Sequence, residues 1–569
     1  PTYYHFNGHS TPKIDHFIHR VFDSPITSAR VEVRNPMNTG PHDPVTAVFP
    51  THIPDKLVPR NANHKVTIKI RWDKVDQAKY RELTDTKLTA LLNQIENLPA
   101  SVVVDRVNSI LSGCAHEACP PPPRRRRRTR YRWLASFTPM AAEVNKCYRK
   151  LQKLEVGQRT GSEQQAAFVA AKRTLRKAQR QAAAKRRQNL NSDIIAACHK
   201  PGREGFFQLI KKQRKSTARS SNIDFGKHYD PSSQANSWAS YFEDLATPKD
   251  DLHYDKQYKR HLHIMHLLQF LTNSGNNLEP VSKKDIEQHV AALKNHKAAD
   301  VHGISAEHIK MASPAIISVL YYLVTTTFNT GRLPDNFKIG SVTPVIKKSK
   351  PLINPNNYRR ITIALIVGKI VEKHMLKHSR SVLDPVQSRL QFGFSGGISP
   401  IYAALVVTEL MADAADSKQE LLLTFLDTSK AFDVVDHEGM LNALNQQGIS
   451  GNLWQLYNSM YSGITSVVKW NGELSRPLAE LQGIRQGGDS SADCYKSGKN
   501  KVLHTLDAVP SMRIGHIHAG AVMVADDLTL AAQSAQEMQI ALNIAAHDAN
   551  RERYKFNTEK TKTVVINSK

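Results

Sequence analysis

The chain is poor in cysteine, has no long apolar run, and over one stretch nearly lacks acidic residues. Its five cysteines are too few to staple 569 residues together. Cys114 and Cys119 flank His116, but three such residues lack the fourth ligand of a structural zinc site. Reduced, unpaired thiols in an intracellular protein are expected, with synthesis in the cytoplasm and work in the nucleus. No apolar run approaches the ~20 residues that span a bilayer, and no signal-peptide pattern is visible, so neither secretion nor membrane insertion is expected. Hydrophobic residues make up 40% of the chain, enough for a core in at least one of the two or three domains that 569 residues imply.

The shortage of acids is local. Lys and Arg total 78 against 51 Asp and Glu, yet residues 124–219 alone carry 27 basic and 5 acidic residues. Positive charge is therefore concentrated in a module. It opens with Pro120 to Pro123 and the run Arg124, Arg125, Arg126, Arg127, Arg128, which reads as an extended, solvated segment. Gln164 to Leu190 follows, rich in Ala, Lys, Arg and Gln and free of Gly and Pro, which predicts a long basic helix. Phe168, Leu175 and Ala182 recur at sevens as a narrow apolar stripe for packing on the rest of the chain or on a partner. Counterion release then predicts salt-sensitive binding to RNA or DNA. The alternatives are a solvated helical linker and, for the arginine run, a nuclear-import signal. No aromatic residues are interleaved among the cations to stack on bases.

What the chain does have is two acidic segments a hundred residues apart. Leu421 to Leu426 is an almost unbroken apolar run that reads as a buried strand ending at Asp427. Ala521 to Val524 and Leu528 to Ala532 read as short strands flanking Asp526 and Asp527 at a hairpin tip. Neighbouring strands would set these carboxylates side by side, where their repulsion calls for divalent cations. Taken singly, each segment is also explained as a solvated turn or a helix cap. Together they are the acid cluster of a nucleotide polymerase, in which two bound ions serve the attacking oxygen and the leaving group.

From about Leu278 onward the chain resembles the reverse transcriptases of non-LTR (LINE-type) retrotransposons, with motifs in the family's order. Lys297 to Lys310 resembles the fingers entry, with His302-Gly303-Ile304 where Asp-Gly-Ile is usual. Asn357 to Thr362, Gly368-Lys369-Ile370 and Glu372-Lys373 resemble the next fingers block, and Gln391-Phe392-Gly393-Phe394 the segment before the palm. Phe425 to His437, Gln482 to Gly488, Ala525-Asp526-Asp527 and Asn557 to Thr561 resemble the palm motifs. The resemblance implies an α/β (α+β) right-hand polymerase with a palm and helical fingers. It implies RNA-directed DNA polymerisation with two Mg²⁺ ions, or Mn²⁺ in their place, using dNTPs, an RNA template and a DNA primer or target. Asp427, Asp526 and Asp527 would be the metal acids, the alternative for Asp527 being that alternation along a strand turns it away. Phe432 would lie under the incoming sugar and exclude a 2′-hydroxyl, ordinary core packing being the alternative. Gln486 and Gly487 would bring backbone close to a base pair. Arg359, with Arg360 as alternative, would grip the triphosphate. Lys560, with Lys562 as alternative, would protonate the leaving pyrophosphate. Asp433 and Asp436 read as structural, Asp436 before a helix His437 to Gln447 that Gly448 closes.

The first fifty residues resemble the last strands of the endonuclease/exonuclease/phosphatase fold, through Lys13 to Ile18, Val31 to Val33 and Gly40 to Phe49. Asp15 and His42 match that family, but Pro41 replaces its metal-side Asp, and a few strands do not bury enough to act alone. The expected organisation is an endonuclease remnant at 1–52, a basic, mostly helical linker at 53–225, lead-in helices and fingers at 226–400 and a palm at 401–569, with no thumb after it. Pro54 to Asn108 reads as loosely helical. Two departures from the family stand out. Lys496 to Lys501 is polar and contains Gly498 where relatives continue an apolar helix, which predicts a weakened helix behind the second palm motif, and Val524 replaces an aromatic residue. The competing reading is a catalytically inactive relic that only binds nucleic acid.

Overall fold

The computed structural model describes residues 28–31, 45–48, 70–119, 134–199, 204–213, 223, 225, 230–275, 278–347, 350–509, 512–514 and 517–567. Arg124 to Arg128, Asp15, Pro41 and His42 lie outside the described residues. The chain divides into two compact units, one drawn from Pro1–Lys65 and Pro122–Ser220, the other from Val66–Pro121 and Ser221–Lys569. Among the described residues no helix is long and apolar enough to cross a membrane.

In chain order, β1 (Ser28–Val31) and β2 (Val45–Val48) pair antiparallel in the first unit. Helices α1 (Gln77–Leu92) and α2 (Ala100–Ala118) belong to the second. This corrects the sequence reading, which placed them in the linker. Tyr80, Leu88, Val103 and Leu111 are buried in one core with Ile286, Ile304 and Val319, and the Tyr80 hydroxyl donates to the His308 carbonyl at 2.8 Å. Pattern alone assigns a helix a buried face but not the partner that covers it.

The first unit then adds α3 (Phe137–Gln152), α4 (Glu163–Cys198) and α5 (Glu204–Gln213). Ser162 caps the 36-residue α4 by accepting from Gln165 N, and with no Gly or Pro inside nothing interrupts it. Phe168, Leu175 and Ala182 do form one stripe, and it packs on Phe137, Ala141 and Val144 of α3. Leu175 is buried there, while Phe168 and Ala182 stay partly exposed.

The second unit continues with α6 (Pro231–Ala246), α7 (Lys256–Thr272), α8 (Lys283–Ala291), α9 (Ala306–Lys310) and α10 (Ala315–Thr330). Next come β3 (Ile339–Ile346), β4 (Tyr358–Ile363), α11 (Ile366–Val386) and α12 (Pro400–Ser417). After β5 (Leu421–Leu426) follow α13 (His437–Gln446), α14 (Gly451–Tyr461), β6 (Thr465–Trp470), β7 (Glu473–Ala479) and α15 (Ser491–Asp507). The short pair β8 (Arg513–Ile514) and β9 (Ile517–His518), then β10 (Ala521–Val524), β11 (Asp527–Ala532), α16 (Ala535–Arg551) and β12 (Lys562–Ile566) complete it.

Two four-stranded sheets organise these elements, β4-β3-β6-β7 and β10-β11-β5-β12. In the second, every pairing is antiparallel and β5 is central. Its continuous apolar sequence follows from cover on both faces. Leu422 and Leu426 pack with Val502, Leu503 and Met538 of α15 and α16, while Leu421 and Leu423 pack with Leu410 and Ala414 of α12. The alternation is the period of two of a strand. This mixed helix-and-sheet layout is the α/β polymerase architecture expected from the sequence.

Candidate active site

β5 leaves the sheet at Asp427. β10 and β11 join through a two-residue turn, Ala525-Asp526, with Val524 opposite Asp527. Leu528 stands opposite Leu426, so Asp527 and Asp427 occupy the next facing positions outward. Ala525 takes φ +62°, a left-handed conformation that costs an alanine roughly 1–2 kcal/mol. Gln391 holds it there: its Oε1 accepts from Ala525 N at 3.0 Å and its Nε2 donates to Ala525 O at 3.2 Å. Gly393 lies so close that a Cβ on it would stand 2.1 Å from Ala525 N. The Gln-Phe-Gly-Phe segment therefore holds the Ala525-Asp526 turn in place. Sequence reading placed this segment before the palm but missed the role, although Gln391 and Gly393 carried the signal.

Burial raises the carboxyl of Asp526, and the charges of Asp527 and Asp427 raise it further. Burial followed by Asp427 does the same to Asp527. Such mutual crowding suits a bound cation. Among the described residues no three His, Cys, Asp or Glu side chains form a ready-made metal cage. Asp526 is half-buried and Asp527 exposed, yet both feel Asp427.

The Asn557 to Lys560 turn hangs from the end of β5, where Asn557 N donates to Asp427 O at 2.8 Å. It carries Lys560 Nζ to within 2.7 Å of Asp427 Oδ2. Lys562 instead lies in β12 opposite Phe425. Of the two lysines, Lys560 is the one at the acids.

Strand alternation separates the two arginines of β4. Arg359 is exposed, and Arg360 is buried with its guanidinium 3.5 Å from Asp433 and 3.6 Å from Glu480. Burial alone would raise Glu480, but Arg360 and Arg485 pull it down. Asp433, raised chiefly by burial, is steadied by Arg360 and Lys430. Arg360 is thus structural, as is Asp433, and Arg359 is the cation free to face a ligand. Lys347 and Lys430 join it. Burial lowers Lys347, and the charges of Arg359, Lys560 and Lys430 lower it further against Asp433. Burial likewise lowers Lys430. Neither lysine was singled out from the sequence, where Lys347 is one of three lysines between 347 and 350.

Phe432 is clamped as well as placed. Its ring stacks on Tyr495 at 4.7 Å and 9°, and meets Phe394 edge-on at 5.9 Å. It remains partly exposed. Gln486 and Gly487 dock on β4, with Thr362 N donating to Gln486 O at 2.9 Å. Gly487 has φ +127°, and a Cβ there would stand 2.4 Å from the Thr362 carbonyl oxygen. The close approach seen at Gly487 is to β4. Glu372 anchors the same loop, accepting from Asp489 N and Ser490 Oγ, each at 3.1 Å.

The helix after this loop corrects another expectation. Despite its polar sequence α15 runs unbroken for 17 residues, and Asp493, Lys496, Lys499 and Asn500 are buried in it with partners. Asp493 lies 3.1 Å from Arg380 and 3.2 Å from Lys496. Asn500 Oδ1 accepts from Ser388 N at 2.7 Å, and Lys499 sits 3.1 Å above the Tyr554 ring centre. A polar helix is stable inside a protein when its groups are satisfied, which periodicity cannot register. Asp436 behaves as expected, accepting from Gly439 N at 2.9 Å to cap α13.

Residues 346–568 match the family model described as reverse transcriptase (RNA-dependent DNA polymerase). The chain is similar to the putative 115 kDa protein in the type-1 retrotransposable element R1DM of Drosophila melanogaster, 30% identical over 36% of this chain and 20% of that protein. It is 27% identical to the Pol polyprotein from the type-1 retrotransposable element R2 of Popillia japonica, over 33% of this chain and 27% of that protein. It is 22% identical to the RNA-directed DNA polymerase from the mobile element jockey of Drosophila funebris, over 45% and 28% respectively. The chain spans less than a third of the length of each of these curated relatives. The acids, the Gln391 contacts and the Lys560 turn all lie inside residues 346–568, the segment that matches the reverse-transcriptase model and is similar to these retrotransposable-element proteins.

Proposed function

We propose that the chain is an RNA-directed DNA polymerase of a non-LTR retrotransposon, adding dNTPs to a DNA primer on an RNA template. The observation that carries this reading is the convergence of Asp427, Asp526 and Asp527 with Lys560, whose ammonium is 2.7 Å from Asp427. Asp427 and Asp526, with Asp527 beside them, would hold two Mg²⁺ ions. Bound there, the ions supply Lewis acidity at the primer 3′-hydroxyl and neutralise charge on the triphosphate. The 3′-hydroxyl gives up its proton to water as its oxygen bonds to the α-phosphorus and the bond from that phosphorus to the bridging oxygen breaks. Lys560 gives a proton to the departing pyrophosphate. Arg359, Lys347 and Lys430 draw the triphosphate in, and the Phe432 ring, immobilised by Tyr495, leaves no room for a 2′-hydroxyl.

The test is primer extension on RNA with dNTPs and Mg²⁺, comparing the chain with Asp427→Asn and Asp526→Asn. Both substitutions keep side-chain shape and remove one charge. Extension by the native chain alone supports the reading. Equal extension by the variants refutes the assignment of the acids, and no extension by any while RNA is still bound refutes the reading and leaves a nucleic-acid-binding relic.

A further inference from the structure

The three-helix module of the first unit holds a groove that polymerisation does not use. It lies between α3 and α4, has a volume of about 360 Å³, and is floored by Leu151, Phe168 and Val169. Lys172, Arg173 and Arg176 line it beside this floor, with Gln165 adding an amide. Tyr148 of α3 packs on Phe168 with ring centres 5.2 Å apart. The Lys172 ammonium stands 5.4 Å from the centre of the Phe168 ring.

We infer that this groove captures an unpaired nucleotide of single-stranded nucleic acid, its base against Phe168 and Val169 and its flanking phosphates on Lys172, Arg173 and Arg176.

Three observations converge on that ligand. The space lies in the range of pockets that enclose a small molecule of nucleotide size. An apolar floor with an aromatic ring beside three cations is the combination that binds single strands, where base stacking and phosphate neutralisation act together. Finally, none of the three cations forms an ion pair with a described residue, in a module with 27 basic and 5 acidic residues over 124–219. Lys172 is half-buried, and burial followed by the charge of Arg176 lowers its pKa, so an anion at this place relieves a standing repulsion. Lys172 and Arg176 are one helical turn apart, roughly 5–6 Å along α4, within reach of successive phosphates. An acidic peptide would satisfy the cations but leave the ring unused. The sequence reading found no aromatic residue among these cations. The fold supplies one by turning Phe168 toward Lys172 and bringing Tyr148 from the neighbouring helix.

The full chain is titrated into a 12-nucleotide single-stranded RNA carrying 2-aminopurine, into the DNA strand of the same sequence and into the corresponding duplex, at two salt concentrations. Either single strand should bind more tightly than the duplex, with quenched 2-aminopurine fluorescence. Phe168→Leu keeps apolar volume while removing the ring, so quenching should vanish and affinity should fall roughly tenfold. Val169→Glu, at a surface position, should weaken binding without touching the α3–α4 core. Lys172→Gln with Arg176→Gln should reduce the slope of log K against log salt by about 1.4. Unchanged affinity and quenching in Phe168→Leu with helix content retained would overturn the inference, as would equal displacement by polyglutamate at matched charge. The readout does not involve catalysis, so its failure and that of the polymerase reading are separate results.

Discussion

Alanine at Gly487 and at Gly498 should have opposite effects, and the reason lies in what a single methyl group would meet. At Gly487 the backbone has φ +127° and a Cβ would come to 2.4 Å from the Thr362 carbonyl oxygen. Strain at such a φ costs on the order of 1–3 kcal/mol. Relieving the overlap moves the loop off β4 and breaks the Thr362 N to Gln486 O bond of 2.9 Å, a further loss of about 1 kcal/mol. Gly487→Ala should therefore cost about 3 kcal/mol and shift Gln486 out of the site. Gly498 lies inside α15 with nothing within 4 Å of its Cβ position. Gly498→Ala should stabilise by about 0.5–1 kcal/mol. The assay is urea unfolding of both variants, followed by primer extension at a temperature where each is folded. A Gly487→Ala variant within about 0.5 kcal/mol of the native chain, or a destabilised Gly498→Ala, would refute the reasoning and with it the docking of this loop on the fingers sheet.

The other predictions concern charge and the sugar. Burial followed by Asp548 raises the Glu552 carboxyl from its ordinary 4.5 to about 7, so the folded state keeps a proton that the unfolded chain gives up near 4.5. Stability should then decline as pH rises between those values, by up to about 3 kcal/mol, and Glu552→Gln should flatten the decline in denaturation curves at pH 5 and pH 8; an unchanged slope would remove the argument. Arg360→Met leaves the buried Glu480 with only Arg485, 4.0 Å away, to meet its charge and should cost about 3–5 kcal/mol. Arg359→Ala should alter stability by less than about 0.5 kcal/mol and raise the KM for dNTPs; the reverse ranking would exchange the two roles. Phe432→Val should admit ribonucleotides in a competition assay, and unaltered sugar selectivity would return the ring to a packing role alone.

The acids, their order and the strands that carry them were legible in the sequence because each depends on local pattern. An apolar run ending in Asp427, and two short strands around Asp526 and Asp527, specify a buried strand and a hairpin wherever they occur. The capping Asp436 and the long helix α4 were legible for the same reason, since caps and helix formers act within a few residues. Tertiary structure decided what depends on distant partners. It faced Arg359 out and buried Arg360 against Asp433 and Glu480. It set Lys560, on a turn hung from Asp427, beside that acid and put Lys562 in β12. It gave Asp493, Lys496 and Asn500 of the polar helix α15 buried partners, and it set α1 and α2 in one core with α10. Periodicity records which face of an element is apolar; only the packed fold brings up the charge, carbonyl or ring that each remaining side chain meets.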